Sequence, residues 1–252
     1  MLILLPPSEG KTAPKRGKPL DFDSLAHPEL TPTREKIIDA LIDLCSGDAE
    51  VAAKTLGLGR TQMDQVTRNV SLRDAPAARA DRIYTGVLFA ALDLGSLEGP
   101  AKRRANKSIA IASGLFGLVR PGDKIPAYRL SGNVTMPATG PVAALWRDVL
   151  GPVIEEADLL VDVRSGMYRN LRKPTGALTK RTATLRVLHE HNGQRKVVSH
   201  FNKATKGHIV RALLTEGAAP RTVDQLAQML GDLGWTVERD GHHLDVIVAQ
   251  VN

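Results

Sequence analysis

The hydrophobic positions of this chain fall into two rhythms. Three short stretches are apolar almost without interruption: Leu2–Leu5, Ser108–Ala112 and Leu159–Val163. Runs of that length without alternation read as strands buried on both faces of a sheet. Elsewhere apolar residues recur every three or four positions, the period of a helix. Ile37, Ile38, Leu41, Ile42 and Leu44 make one such face, in a helix opened by Thr33 and ended by Ser46-Gly47. Asp48–Thr55 and Arg60–Asn69 read as two helices joined by the tight turn Leu56-Gly57-Leu58-Gly59. Ala75–Leu94 reads as mostly helical, broken at Tyr84-Thr85-Gly86, where a helical glycine costs about 1 kcal/mol relative to alanine. Further helices are expected at Pro141–Leu150, Asn202–Thr215 and Val223–Leu230.

Two hairpins complete the pattern. Thr184–Glu190 and Arg195–Phe201 flank His191-Asn192-Gly193-Gln194, and Asn-Gly is a strong hairpin turn. Gly234–Arg239 and His242–Val248 flank Asp240-Gly241. His242 and His243 are adjacent, so on a strand they point to opposite faces and make a poor metal pair. Ala13–Pro32, rich in Pro, Lys and Asp without periodicity, reads as a long loop. The expected fold is α/β of mixed α+β character. One domain over residues 1–252 has a mixed central sheet with β-hairpins, flanked by helices, and residues 32–70 form a helix-hairpin-helix subregion.

Charge changes this picture at one place. Between Arg164 and Arg211 there are twelve Lys or Arg and one carboxylate, Glu190, whereas the rest of the chain carries 22 basic and 26 acidic residues. The whole formal excess of +7 therefore comes from one block. Such a block calls for an anionic partner. No apolar run approaches the ~18–20 residues of a membrane span, and the five apolar residues at the start, followed by prolines, read as a strand rather than a signal peptide. The lone Cys45 makes no intramolecular disulfide, and no Cys/His set has metal spacing. A reducing cytoplasm and no membrane partner are expected.

The candidate chemistry sits where the buried strands end. After the first come Ser8 and Lys11, in Pro6-Pro7-Ser8-Glu9-Gly10-Lys11-Thr12. This string lacks the earlier glycine of a phosphate loop, and two prolines remove backbone donors. After the second come Ser113, Arg120, Asp123, Tyr128 and Arg129. After the third come Arg164, Ser165, Tyr168 and Arg169, with Asp162 inside the strand. In the helix that follows, Lys203, Gly207 and Arg211 are spaced i, i+4, i+8 beside Lys206, a cationic stripe whose glycine gap would let an anion approach the backbone. Gly57, Gly59 and Arg60 of the glycine turn would offer backbone amides to a phosphate. The plain structural reading of Arg120 and Asp123 is that they pair with each other or with local carbonyls.

Taken together, I-L-L-P-P-S-E-G-K-T at the start, Y-T-G at Tyr84–Gly86, S-G-L-F-G-L-V-R-P-G-D-K-I-P-A-Y-R-L at Ser113–Leu130, R-S-G-M-Y at Arg164–Tyr168 and K-A-T-K-G at Lys203–Gly207 resemble the peroxide-stress protein YaaA family over nearly the whole chain. The resemblance implies a cytoplasmic protein with one large α/β domain, a helix-hairpin-helix element and a basic cleft that binds duplex DNA and limits oxidative damage linked to iron. It carries over to Lys11, Tyr84, Ser113, Arg120, Asp123, Tyr128, Arg129, Asp162, Ser165, Tyr168, Lys203, Lys206 and Gly207. Two strings depart from it. Pro-Pro-Ser-Glu-Gly precedes Lys11 in place of Ser-Pro-Ala-Lys, and Val163-Arg164-Ser165-Gly166-Met167-Tyr168 replaces an Ala-Ser-Xaa-Glu-Tyr strand end, losing a carboxylate and gaining an arginine.

Two functions compete on these residues. The first is a DNA-binding stress protein that holds duplex or structured DNA by its phosphates, since Tyr168 and Phe201 are too few aromatics for single-strand stacking. Its contacts would be Ser8, Lys11, Gly57, Gly59, Arg60, Arg120, Arg129, Arg164, Arg169, Lys203, Lys206, Gly207 and Arg211. The second is an enzyme on a small anionic substrate, with Lys11, Ser113, Tyr128, Asp162, Ser165, Tyr168 and Lys203 as candidate catalytic groups. No serine has a His–Asp partner in the sequence, and no cofactor is named by it.

Overall fold

The computed structural model of the protein describes residues 1–191, 194–217 and 219–249, and of His191, Ser199 and His200 the backbone alone. Its centre is an eight-stranded mixed sheet. The strands are β1 (Leu2–Leu5), β2 (Ile109–Ser113), β3 (Gly117–Val119), β4 (Leu160–Asp162), β5 (Thr182–His191), β6 (Gln194–Lys196), β7 (Thr236–Asp240) and β8 (His243–Ala249). Across the sheet they run β7-β8-β5-β4-β1-β2-β3, with β6 on β5. The three apolar stretches of the sequence are its middle. β1 lies parallel between β4 and β2, with Ile3 opposite both Val161 and Ile109. Every residue of β1, β2 and β4 is buried, as expected of parallel strands covered on both faces.

The helices are α1 (Thr31–Ser46), α2 (Ala49–Leu56), α3 (Asp64–Val70), α4 (Val87–Leu92), α5 (Gly99–Ser108), α6 (Val142–Arg147), α7 (Leu150–Glu155), α8 (Gly166–Arg169), α9 (Ser199–Glu216) and α10 (Val223–Asp232). α1 carries the predicted apolar face, but it also buries Arg34 completely. The guanidinium reaches across to Phe116 O at 3.1 Å, Leu118 O at 3.0 Å and Ala26 O at 2.8 Å. These bonds fix the turn after β2. Trp146 of α6 fixes it from the other side: its indole N–H donates to Gly114 O at 2.8 Å, and its ring fills the space a Cβ on Gly117 would occupy. Gly117, at φ 71°, is thus required twice, by its backbone and by the ring.

Three expectations are corrected. Residues 75–94 are not one interrupted helix: a two-residue strand (Ala78–Arg79) and a single turn (Ala80–Ile83) precede the break, and α4 starts only at Val87. Gly86 adopts φ 94°, which a continuous helix cannot hold, and Lys11 forms a β-bridge to Tyr84. The strand expected over Arg195–Phe201 stops at Lys196, and α9 begins at Ser199, earlier than Asn202. Asn192-Gly193 lies outside the described residues. His242 belongs to the turn rather than to β8, so the rings of His242 and His243 do not part to opposite faces but lie 4.2 Å apart.

Candidate functional site

The sheet order places a topological switch point between β1 and β4. From β1 the chain moves on to β2 on one side, and from β4 it moves to β5 on the other. Adjacent parallel strands whose continuations diverge leave an opening beyond their carboxyl ends, the usual ligand position in open α/β sheets. The loops delivered there are Pro6–Thr12 after β1, Ser113–Phe116 after β2, and Val163–Arg169 after β4.

Lys11, Ser113, Tyr84 and Tyr128 meet on one side of this opening. Ser113 Oγ lies 2.6 Å from the Tyr128 hydroxyl, which lies 2.9 Å from that of Tyr84. All three residues are buried. Lys11 Nζ sits 4.2 Å from the ring centre of Tyr128 and 5.6 Å from that of Tyr84, and donates to Ser8 O at 2.9 Å. Burial pulls its pKa down to about 7, with Arg129 and Arg68 acting in the same direction and Glu9 opposing. Burial likewise raises Tyr84 to about 12 and moves Tyr128 well above the ordinary range. The amine is therefore available as a base near neutrality, while the phenols stay protonated donors.

Glu9 organises the other side. Its carboxylate pairs with Arg129 Nη1 at 2.6 Å, accepts from Ser131 Oγ at 2.9 Å, and receives the Tyr168 hydroxyl at 3.5 Å. Tyr168 thereby closes the opening from the β4 side. Arg129 is held at its backbone by Asn69 of α3, whose side-chain amide both donates to Arg129 O and accepts from Arg129 N–H, each at 2.9 Å. Ser8 ties the β1 loop to Thr85 N–H at 2.9 Å.

The basic block does not face this opening as one wall. Arg164 is 2% exposed and folds back onto Asp162 through two bonds of 2.9 and 2.8 Å, and onto Arg172 O at 2.9 Å. Arg172 pairs with Glu155, Arg186 with Asp245, and Arg195 with Glu190 and Glu238. Arg181 is bonded to Ala157 O, and Arg211 to Leu92 O and Asp93 O. By contrast, among the described residues Arg169, Lys173, Lys180, Lys196 and Lys203 have no ion pair or side-chain hydrogen bond. Arg169 and Lys173 line a pocket of about 400 Å³ with Asp162, Asn170, Thr182 and His242. Lys206 donates to Val163 O at 3.2 Å, and burial lowers its pKa to about 8, against the pull of Asp162 and with the push of Arg169.

Several predicted residues are placed elsewhere. Arg120 spends its guanidinium on Lys107 O and Ile109 O, while Asp123 accepts the backbone N–H of Arg120 and of Ala26. Gly207 faces α4: a Cβ there would come within 2.4 Å of Leu88 O. Its gap is filled by a helix. Ser165 is exposed and caps α8 without a side-chain bond. At the glycine turn, Gly57 (φ 65°) ends α2, and Gly59 N–H bonds the Gln62 side chain at 3.2 Å, leaving Arg60 exposed. Glu9, Arg68, Asn69 and Ser131 were not singled out in the sequence. Glu9 had a usable signal, a lone carboxylate between Ser8 and Lys11. Among the described residues no group of three or more His, Cys, Asp or Glu is placed to hold a metal, and no helix is long and apolar enough to cross a membrane.

Comparison with known proteins identifies the family of this chain. The family model described as peroxide stress protein YaaA matches residues 1–240. A UPF0246 protein of Streptomyces coelicolor is 48% identical over the whole of both chains. One from Corynebacterium efficiens is 42% identical over 94% of this chain and 95% of its own. One from Shewanella woodyi is 30% identical over 85% and 86%. With the family model covering nearly its entire length, the chain belongs to the peroxide stress protein YaaA family.

Proposed function

We propose that this protein serves the peroxide-stress response in the cytoplasm by holding duplex or structured DNA through its phosphates. The observation that carries the reading is the division of the basic block. Six of its seven arginines are bonded into the fold, whereas Arg169 and Lys173 share one pocket with no carboxylate paired to either, and Lys203 is exposed one turn before Lys206. Cations that no protein group neutralises are the ones a phosphate backbone recruits. Titrating duplex DNA at increasing salt tests this: affinity is expected to fall steeply, and the slope of log K against log salt to shrink by about two in a double Arg169→Gln, Lys173→Gln variant. An affinity independent of salt would remove the reading.

A second reading is favoured by a separate observation. The hydroxyls of Ser113, Tyr128 and Tyr84 are buried and hydrogen-bonded in series, with the half-buried Lys11 amine over both rings, at the divergence of β1 and β4, where phosphate holding requires no such groups. An amine with a pKa of about 7 beside protonated phenols suits acid–base work on a small anionic ligand.

A further inference from the structure

Two neighbouring pockets beside α8 share a wall. The first is the one lined by Arg169, Lys173 and His242. The second, also about 400 Å³, is lined by Arg147 of α6, Arg172 and Thr175. Asn170 and Lys173 belong to both. The first pocket runs from a cationic rim to a neutral floor. Arg169 is half-buried and Lys173 exposed, and neither has a side-chain partner among the described residues. Asp162, Thr182 and Thr184 are buried and form the floor. Arg164 cancels the charge of Asp162 there. Thr182 gives its hydroxyl proton to Leu178 O at 2.7 Å. Thr184 stands opposite Asp162 in the pairing of β5 with β4, on the same face of the sheet. It is 5% exposed, and its hydroxyl has no partner among the described residues. A buried hydroxyl left in this state calls for a partner from outside the chain.

This division selects a ligand. A lone phosphate would satisfy the rim and leave the floor empty, since it takes about the room of two or three waters of about 30 Å³ each in a pocket of about 400 Å³. The ligand that fits joins an anionic group to a neutral, flat, polar body, and a nucleotide does so. Its phosphate suits Arg169 and Lys173. Its base suits the Thr184 hydroxyl and the ring of His242, which is backed by the ring of His243 at 4.2 Å. The cations also continue past this pocket. Arg147 is exposed across the shared wall and has no side-chain partner among the described residues. A strand carries a phosphate on each side of a nucleotide, which suits cations on both sides of the wall better than a free nucleotide does. In a paired duplex the base is stacked out of reach, so only an unpaired one can enter.

We infer that the pocket beside α8 receives one unpaired nucleotide of a DNA strand, with the flanking phosphates on Arg169, Lys173 and Arg147 and the base against Thr184 and His242. The inference rests on the DNA reading and names the form of DNA that the pocket selects.

Two duplexes of equal length provide the test, one fully paired and one with a single bulged thymidine, titrated at the same salt. The bulged duplex is expected to bind about tenfold tighter, because its extra base is already unpaired. Thr184→Val should cut this advantage about fivefold, the size of one hydrogen bond. His242→Ala, in the turn between β7 and β8, should cut it too and serves where Thr184→Val lowers stability. Arg169→Gln should weaken both duplexes alike. An advantage untouched by Thr184→Val and His242→Ala overturns the placement of the base. A paired duplex that binds with a steep salt dependence, with no gain from the bulge, overturns the nucleotide pocket and leaves the DNA reading standing. Loss of salt-dependent binding to both duplexes overturns the two together. Thymidine monophosphate alone is expected to compete only weakly, and competition as strong as that of the bulged duplex would assign the pocket to a free nucleotide and overturn the strand.

Discussion

The two polar regions around β4 are built on opposite plans. At the ends of β1 and β2, three hydroxyls are buried and bonded in series with the amine of Lys11 over the tyrosine rings, and the charge present is mostly paired. Beside α8, Arg169 and Lys173 line a pocket and are paired with nothing described. One helical turn serves both: Tyr168 reaches Glu9, and its neighbour Arg169 faces the pocket. The difference teaches that a basic sequence is informative only after its internal commitments are subtracted. Six arginines of the block hold carbonyls or carboxylates of the chain itself. They stabilise the platform on which the other cations stand.

The hardest way to break the comparison is to remove the floor common to both regions. Asp162 and Arg164 are fully buried and pair with each other. Asp162→Ala leaves a guanidinium in the interior with no counter-charge, at a cost of about 3–5 kcal/mol. Thermal denaturation should show a large fall in Tm, and both regions should fail together. Next in size is Gly207→Ala. A Cβ that meets Leu88 O at 2.4 Å must push α4 away from α9, at about 1–3 kcal/mol. If stability instead held and DNA affinity dropped, the glycine would belong to an anion site and not to packing. A smaller effect separates committed from uncommitted cations. Arg211→Gln should cost about 1 kcal/mol, by losing bonds to the end of α4, and leave the DNA salt slope alone. Arg169→Gln should do the reverse, lowering the slope by about one with Tm unchanged.

Much of this architecture was legible in the residues. Leu2–Leu5, Ser108–Ala112 and Leu159–Val163 announced the middle of the sheet because burial on both faces leaves no room for polar alternation. The strand-end loops held Lys11, Ser113, Tyr128 and Tyr168, which the fold brings close to the ends of β1, β2 and β4. The pairing of Tyr168 with Glu9 was not legible: it depends on β4 lying beside β1, a long-range choice that local pattern does not encode. Gly207 shows a second limit. A glycine amid cations at i, i+4 spacing looks the same whether a phosphate or another helix fills the gap. Arg34 shows a third, since its place on the apolar side of α1 is stabilised by carbonyls of a distant turn and of Ala26.

The finest effect concerns Lys11. Its amine titrates near pH 7, first because it is buried and then because Arg129 and Arg68 are close. Cyanate reacts with neutral amines only, so carbamylation of Lys11, followed by peptide mass spectrometry, should rise with a midpoint near pH 7, well below the range of exposed lysines. The charge contributions then carry definite signs. Glu9→Gln removes the one group that favours the ammonium and should move the midpoint down. Arg68→Gln removes a repelling charge and should move it up, by a fraction of a pH unit because burial is the larger cause. Stability follows the same linkage. The folded protein holds the amine neutral between about pH 7 and the unfolded value of 10.5, so it binds fewer protons than the unfolded chain there and gains stability as pH rises through that window. Lys11→Met should flatten this gain and raise Tm slightly at neutral pH. A midpoint for Lys11 in the range of the other lysines would mean that its amine reaches bulk water, and the buried region would lose its base.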